Sequence, residues 1–413
     1  MNRLRRSFLA ILLLVSLNAH GDTFCSIICP DGSPPLVKQA ATELSGYLER
    51  LSRASVPVVA QADSGDRVVL EVAPNAEGLG PEGYRILSLK APAGAVVTIT
   101  GATERGVVFG AYRLLEEYGI GFYFDGDAVP ASPPADLLLP EIEASPVFAI
   151  RGSLPWYNFL NSPTTWDDQD FRFFADQIVR SGQNFIGFHS YDHEPFAAYE
   201  YDGQVIGGQP LRTTAQRIWG TSPLRIDEFG FGTGRLFPGE YWGSDVARQP
   251  GSREERITAA KQLLARGLEY ASARGVLTCL GFEVGGDPSN PAEQRRFRAR
   301  LLQLLTDYPM LDYVWLWQPE GMSMQGSTPP APRSAAGRLY REWQESFGEI
   351  EDPARKWEGI RVATYARLAR DLMDHAAPDV KLVLAGWGGD HWLHVSDYFP
   401  CWDRVLDKRI IFA

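Results

Sequence analysis

The sequence predicts an α/β protein in which a small N-terminal α/β domain precedes a (β/α)8 barrel of the TIM type. Strands and helices alternate from Val147 onward, a pattern that favours parallel pairing. Long loops rich in Trp, Gly and acidic residues follow the strands, as they do at the C-terminal face of a barrel. A closed barrel needs eight strands and about six are visible, so the expected barrel is truncated. An open doubly wound sheet is the alternative.

Length and charge limit the function classes. The chain has 413 residues and a formal net charge of −11. Its length suits two domains, predicted at 22–145 and 146–413. The negative charge argues against nucleic acid as a partner, because a phosphate backbone requires a basic surface. Aromatic residues make up 12% of the chain, which is typical both of carbohydrate-binding clefts and of large cores.

The N-terminus has the pattern of a secretory signal peptide. The basic stretch "MNRLRR" is followed by the apolar run "FLAILLLVSL" and by small residues. We predict a signal peptide over 1–21, with cleavage near Asp22 and a periplasmic or secreted mature protein. The apolar run is too short to span a bilayer, so no membrane insertion is expected after cleavage.

The four cysteines do not have the spacing of a zinc site. Cys25 and Cys29, in "CSIIC", form either a local disulfide in an oxidising compartment or two free thiols. Cys279 lies in the apolar run "VLTCLGF" and is predicted to be a small buried hydrophobic residue. No cofactor is expected.

The small α/β domain is predicted from five segments followed by a linker. A helix covers 36–52, the strand "RVVLEV" follows, "GYRILSLK" and "AVVTITG" form a hairpin, a second helix covers 104–119, and "IGFYF" closes the domain. The Pro-rich stretch "AVPASPPADLLLPEIEASP" is predicted to be a linker.

The barrel strands are predicted from short apolar segments separated by helical patterns. Helices are expected near 168–180, 253–274, 291–305 and 353–375, with a short one near Trp402, and 194–249 is expected to be a long loop. The strands, in order, are "VFAIRG", "NFIGFHSY", "VLTCLGFEVGG", "DYVWLWQPEG", "KLVLAGWGGD" and "RIIFA".

Glu320, at the end of the fourth strand, is the main catalytic candidate. Aromatic residues precede it in "YVWLWQPE", and an apolar wall around a carboxyl raises its pKa toward the range that a general acid needs. The competing interpretation is a solvated loop acid after a Pro turn. Similar polar and aromatic residues follow the other strands and supply the remaining candidates. These are Asp390 and Glu283 as catalytic carboxylates, and Arg151, Trp156, His189, Tyr191, Trp317, Trp387 and His391 as substrate-binding residues.

A metal site is the competing interpretation for His189, His193 and Glu194. The i, i+4 spacing of the two histidines suits a helix face, whereas these residues follow a strand. We therefore predict no metal, and interpret His189 as a donor to a substrate hydroxyl or as a structural residue.

The stretch "ITGATERGVVFGAYRLLEEYGIGFYF" resembles the small α/β domain that precedes the barrel in bacterial α-glucuronidases of glycoside hydrolase family 67 and in β-hexosaminidases of family 20. Its most specific part is 101–106, "GATERG". The stretches "RGSLPWYNF" and "NFIGFHSY" are similar to the first barrel strands of such enzymes. The resemblance covers roughly residues 34–320. It implies a two-domain glycosidase whose general acid ends the fourth strand, a position that Glu320 occupies.

The chain departs from the family 20 pattern, which has an Asp directly before the catalytic Glu. Here Gln318 and Pro319 precede Glu320, which disfavours substrate-assisted chemistry. Inverting chemistry, as in the glucuronidases, requires a second carboxylate roughly 6.5–9.5 Å away. Asp390 is the first candidate for it and Glu283 the next.

The expected function is a secreted glycoside hydrolase, α-glucuronidase-like, that acts on oligosaccharides derived from polysaccharides. Arg151 would then contact the substrate carboxylate or support the barrel floor. The alternatives are a non-catalytic carbohydrate-binding protein on the same scaffold and a β-N-acetylhexosaminidase-like enzyme.

Overall fold

The computed structural model describes residues 26–123, 126–132, 136–155, 163, 166–191, 194–208, 252–319, 328–386 and 395–413. Contacts divide the chain into two compact units, Met1–Gly121 with Ala128–Pro146, and Phe122–Asp127 with Val147–Ala413. Within the described ranges no helix is both long enough and apolar enough to cross a membrane.

The first unit contains a six-stranded sheet and two helices. Its strands lie in the order β2-β1-β3-β5-β4-β8, with β4 antiparallel to both neighbours and the other pairs parallel. From the first described residue its elements are β1 (Ser26–Ile28), α1 (Pro35–Ser52), β2 (Val58–Val59), β3 (Arg67–Val72), β4 (Tyr84–Ala91), β5 (Gly94–Gly101), α2 (Glu104–Glu117) and β8 (Ile142–Ala144). Between α2 and β8 the chain forms two short strands, β6 (Gly121–Tyr123) and β7 (Gly126–Ala128), most of whose residues belong to the second unit.

The stretch 101–106 forms a tight junction between β5 and α2. Thr103 is the N-cap of α2: its hydroxyl accepts from the Gly106 N–H and donates to the Pro81 carbonyl at 2.6 Å. A Cβ on Gly101 would lie 2.3 Å from the Val107 nitrogen, and one on Gly106 would lie 2.4 Å from the Gly83 oxygen. Both positions therefore require glycine, because the helix start packs directly against the strand backbone.

Two details differ from the prediction. The segment "IGFYF" contains the predicted strand, β6, but among the described residues this strand pairs with β7 and not with the six-stranded sheet. The sheet edge is instead β8, from the stretch predicted to be a linker. Pro140 and Pro146 flank β8, and the density of prolines there obscures a strand of only three residues. A cross-strand ion pair holds β8 on β4, since Arg85 Nε donates to Glu143 Oε2 at 2.8 Å.

The second unit alternates parallel strands with helices, as predicted. Its elements are β9 (Gly152–Ser153), α3 (Asp168–Arg180), β10 (Phe185–His189), β11 (Tyr199–Tyr201), β12 (Gln204–Ile206), α4 (Arg253–Ala273), β13 (Leu277–Glu283), α5 (Pro291–Asp307), β14 (Tyr313–Trp317), α6 (Ala335–Trp343), α7 (Pro353–Ala376), β15 (Lys381–Ala385), α8 (Val395–Val405) and β16 (Ile411–Phe412).

The strand order identifies the architecture. The large sheet runs β9-β10-β13-β14-β15-β16, which is chain order, and every pair is parallel. A doubly wound sheet reverses direction at a switch point, and no reversal occurs in this sheet. The consecutive order is that of a (β/α) barrel, so the predicted fold class is confirmed and the doubly wound alternative is wrong.

Some local boundaries differ from the prediction. The first barrel strand begins at Gly152 rather than Val147, and the side chains of Val147 and Phe148 are 91% and 70% exposed. The hairpin of β11 and β12 lies within the predicted long loop, and α6 was not predicted. Residues 209–251 lie outside the described residues.

Strand periodicity divides the large sheet into two faces. On the face that packs against helices, Phe188 contacts Phe171 of α3 and Phe282 contacts Phe297 of α5, with ring centroids 5.8 and 6.1 Å apart. The opposite face is the barrel interior, where one buried cluster contains Phe185, Cys279, Tyr313 and Val383. Cys279 is fully buried, as predicted.

Candidate active site

Three polar or aromatic side chains meet at the carboxyl ends of neighbouring strands. His189, Glu283 and Trp317 end β10, β13 and β14, and all three lie at positions that face the barrel interior. The strand register pairs His189 with Gly281 and Glu283 with Trp317. The structure therefore brings together three of the residues that the sequence predicted separately.

His189 and Glu283 are close but do not form an ion pair. The distance between His189 Nε2 and Glu283 Oε1 is 3.9 Å, which is too long for a hydrogen bond. The His189 side chain is fully buried, whereas that of Glu283 is 21% exposed. Burial, with a smaller effect from the Arg300 charge, lowers the pKa of His189 to about 3. The imidazole is neutral at physiological pH and offers one donor and one acceptor.

The Trp317 ring packs against His189 and is nearly buried. Its ring stacks on Trp315 with centroids 4.7 Å apart and planes at 18°, and it meets the His189 ring edge-on at 5.8 Å. Its side chain is only 7% exposed. Gly281 makes this arrangement possible, since a Cβ there would lie 2.6 Å from the Trp315 oxygen and 3.1 Å from Trp317 Nε1.

The turn after β10 closes around a buried carboxyl group. Glu194 Oε2 accepts from the Tyr191 N–H at 3.0 Å and from the Ser190 hydroxyl at 3.2 Å. Burial raises the pKa of Glu194 to about 8, so the group is largely protonated at neutral pH. The ring of Tyr191 meets His189 edge-on at 4.6 Å. Among the residues that the structure describes, no group of potential ligands could hold a metal ion.

Arg300 of α5 supports the end of β13 from the helix side. Its guanidinium lies 4.0 Å from the centroid of the Phe282 ring, and Nη1 donates to the Glu283 carbonyl at 3.4 Å. The side chain is 6% exposed. Sequence reasoning missed this residue. Its signal is a charged residue on the apolar stripe of a helix, between Phe297 and Leu304.

The end of β14 is held by a second buried acid that the sequence analysis missed. The Gln318 N–H donates to the Ala385 carbonyl at 2.9 Å, and the Gln318 side chain hydrogen-bonds Glu358 of α7. The Tyr398 hydroxyl donates to Glu358 Oε2 at 3.2 Å. Burial raises the pKa of Glu358. These contacts fix the strand up to two residues before Glu320.

Arg151 lies at the opposite end of the strands. Its N–H donates to Asn184 Oδ1 at 2.8 Å, and its guanidinium donates to the carbonyls of Gly182 and Phe148 at 3.0 and 2.7 Å. All of these residues precede β9 or β10, so the contacts are at the amino ends. The structure does not bring Arg151 to His189 and Glu283; its contacts are those of the alternative role, support of the barrel floor.

The other predicted site residues lie outside the described residues. Their assignments stay predictions from the sequence. They are Glu320, Asp390, Trp156, Trp387 and His391.

One family model matches the chain, and the match lies within the first unit. The model for the N-terminus of glycosyl hydrolase family 67 matches residues 25–114. This part of the first unit is similar to the N-terminal domain of that family, in agreement with the resemblance seen in the sequence. No curated protein sequence matches the chain.

Solved structures that match the chain include two mutants of a β-hexosaminidase and a GH20 exo-β-N-acetylglucosaminidase. A mutant Streptomyces plicatus β-hexosaminidase in complex with GlcNAc superposes with a TM-score of 0.53 at 15% identity, covering 95% of this chain and 70% of that one. A second mutant of that enzyme superposes with a TM-score of 0.49 at 15% sequence identity, and the match covers 88% of this chain and 61% of that one. A Vibrio harveyi GH20 exo-β-N-acetylglucosaminidase superposes with a TM-score of 0.49 at 12% sequence identity. That match covers 95% of this chain and 57% of the enzyme. The chain has a glycoside hydrolase-like fold, and it spans 61% of the second of these structures.

Proposed function

We propose that the protein is a secreted glycoside hydrolase acting on polysaccharide-derived oligosaccharides, with α-glucuronidase-like specificity and Glu320 as general acid. The observation that carries the proposal is that Glu283 Oε1 lies 3.9 Å from Nε2 of a neutral His189, at the edge of the barrel sheet where the strands have their carboxyl ends. In barrel enzymes that edge holds the active site. The family 67 match of the first unit supports the choice of glucuronidase.

The proposal assigns roles to side chains at the strand ends and to Glu320 and Asp390, which lie outside the described residues. The neutral imidazole of His189 hydrogen-bonds a sugar hydroxyl, and the stacked pair Trp315 and Trp317 fixes its ring from one side. Glu320 protonates the leaving glycosidic oxygen. Asp390 or Glu283 activates the attacking water, as an inverting mechanism requires. Arg300 holds the backbone at Glu283 from the helix side.

A β-N-acetylhexosaminidase-like activity is the second candidate, because the structural neighbour with the TM-score of 0.53 is a β-hexosaminidase with GlcNAc bound. Against it, Gln318 and Pro319 stand before Glu320, so the chain has no Asp there to assist an acetamido group. A panel of substrates separates the candidates. We expect protein expressed from its complete gene to release glucuronic acid from glucuronoxylan oligomers and to leave aryl N-acetyl-β-glucosaminides intact. Binding of oligomers without any turnover would instead identify a non-catalytic carbohydrate-binding protein.

The acid role of Glu320 has its own test in Glu320→Gln. Glutamine keeps the shape of the side chain but cannot donate the proton. Positioned acid catalysis contributes on the order of 10²–10⁴ in rate, so turnover of oligosaccharides should fall by that amount. Aryl glycosides with activated leaving groups need less protonation and should lose much less. Equal losses on both substrate types would reject the acid role.

Export is tested independently of activity. We expect N-terminal sequencing of the protein from the periplasm or medium to begin near Asp22. Recovery of the protein from the cytoplasm with Met1 intact would reject the proposed secretion.

A further inference from the structure

A second cavity lies behind β13, on the side of the sheet that faces α5. Its volume is about 250 Å³, and it is bounded by the loop after β13, by α5 and by β11. Its lining combines three aromatic rings with charged side chains and glycine backbone. The lining residues are Tyr199, Phe282, Glu283, Val284, Gly285, Gly286, Glu293, Arg296, Phe297 and Arg300.

Hydrogen bonds between elements hold the walls of this cavity. Arg296 Nε donates to the Tyr199 hydroxyl at 2.7 Å and so ties α5 to β11. Arg361 of α7 donates to the Gly286 carbonyl at 2.9 Å, which ties the loop to a second helix. Gly286 has φ +88°, a left-handed conformation that favours glycine. The cavity is therefore preformed rather than a gap between independent loops.

Two polar groups converge beside Gly286. The Tyr365 hydroxyl is buried and has no hydrogen-bond partner among the described residues. It lies 3.1 Å from the position that a Cβ on Gly286 would occupy, and Glu293 Oε2 lies 2.8 Å from the same position. Buried polar groups nearly always have partners, so the Tyr365 hydroxyl indicates that one is missing here.

We propose that this cavity is a second carbohydrate-binding site that takes one neutral pyranose ring. Pockets for drug-sized ligands are roughly 300–1,000 Å³, so this smaller volume suits a single ring. Phe282, Phe297 and Tyr199 supply apolar surface for the C–H face of a sugar. Glu293 and Arg296 supply an acceptor and a donor for its hydroxyls. Because the wall carries charges of both signs, it favours a neutral hexose over an anion or a cation.

The cavity shares Glu283 with the proposed active site, but it lies on the helix side of β13. Phe282 and Val284 lie on the helix side of β13, whereas the carboxyl of Glu283 faces His189 in the barrel interior. The inference shares its ligand class with the proposed function but does not require Glu320 or Glu283 to be catalytic. Its test can fail while the hydrolase proposal stands, and the reverse is also true.

The test measures D-glucose binding by ligand-observed NMR and by calorimetry, using protein expressed from its complete gene. Glu293→Gln keeps the shape of the side chain but removes its charge, and we expect about tenfold weaker binding, the value of one hydrogen bond. Gly285→Leu adds a bulky side chain to the lining and should abolish binding, and because a Cβ at Gly285 meets nothing within 4 Å it should not disturb the packing. Gly46→Leu is the matched control, because Gly46 of α1 has equally open surroundings.

A substitution in the barrel interior separates the two sites. We expect His189→Asn to reduce glucose binding less than Gly285→Leu does, and D-glucuronate to bind the cavity more weakly than D-glucose. Glucose binding that is lost in His189→Asn but kept in both cavity variants would overturn the inference. So would the absence of binding to the unmodified protein at sugar concentrations up to about 100 mM, which correspond to less than 2 kcal/mol of binding free energy.

Discussion

His189 Nε2 and Glu283 Oε1 lie 3.9 Å apart at the ends of adjacent parallel strands. Because burial lowers the pKa of His189 to about 3, the contact joins a neutral ring and a carboxyl group. A protonated imidazole would bind the carboxylate directly and occupy it. With a neutral ring the contact carries no ion pair between the two side chains.

Glu283→Gln tests whether this carboxylate is the one that activates water. If it is, we expect turnover to fall on the order of 10²–10⁴-fold on oligosaccharides and on activated aryl glycosides alike, because water attack is common to both. Steady-state kinetics on the two substrates measures this. Glu269→Gln, an exposed acid on α4, is the control and should retain full activity. A loss below about tenfold would assign the role to Asp390 instead.

The buried Glu194 and His189 predict a pH dependence of stability with a defined sign. The pKa of Glu194 is raised to about 8 in the folded protein, from an ordinary value of 4.5. Between pH 6.5 and 8 the unfolded chain has therefore lost a proton that the folded protein keeps, so stability falls as pH rises. For one such group the free energy of unfolding changes by about 1.4 kcal/mol per pH unit, which gives roughly 2 kcal/mol over this window.

His189 contributes the opposite slope at lower pH. Its folded pKa is about 3 against 6.5 unfolded, so below pH 6.5 the unfolded chain binds the extra proton and stability falls as pH falls. From pH 4.5 to 6.5 the two slopes offset each other. Arg300 acts on both groups and favours neutral His189 and ionised Glu194.

Glu194→Gln isolates the carboxyl contribution. Glutamine can still accept from the Tyr191 N–H but does not titrate. We expect urea denaturation to show that the loss of stability between pH 6.5 and 8 is smaller in this variant than in the unmodified protein by about 2 kcal/mol. Identical pH profiles for the two proteins would show that Glu194 is ionised in the folded state.

Gly281→Ala tests the packing under the site. An added Cβ would lie 2.7 Å from Trp315 Cβ and 2.6 Å from the Trp315 oxygen, so β14 would have to move. We expect a loss of about 1–3 kcal/mol in the free energy of unfolding. Gly285→Ala, with nothing within 4 Å of the new Cβ, should leave stability unchanged or raise it by up to about 1 kcal/mol. Equal effects of the two substitutions would contradict the packing described for Trp315.

Arg151→Met distinguishes the two roles considered for this arginine. The side chain donates to the backbone carbonyls of Gly182 and Phe148, so its loss should lower stability by about 1–2 kcal/mol. The KM ratio between uronic and neutral substrates should not change. Arg338→Met, an exposed position on α6, is the control for general loss of charge. A KM increase confined to uronic substrates would return Arg151 to the substrate site.

The residues that meet at the site were predictable only in part. The end of each strand could be read from the sequence, because apolar runs that end in polar residues are a local signal. Trp317 was predicted to bind substrate, and Trp315 and Gly281 together place it in a stacked pair where it is only 7% exposed. Arg300 and Glu358 were missed because they lie on helices and reach the strand ends only through packing.

The sequence by itself determined the order of the large-sheet strands and of the helices between them other than α6, because hydrophobic period and turn residues act within a few positions along the chain. The tertiary structure decided which side chains share a face and an edge. Arg151 lies at the amino ends because β9 begins at Gly152, and that boundary depends on pairing with Phe185, 33 positions later. His189 and Glu283 meet because the register sets His189 beside Gly281, a pairing across 92 positions. Register and helix packing are set by contacts between distant segments, and no local pattern encodes them.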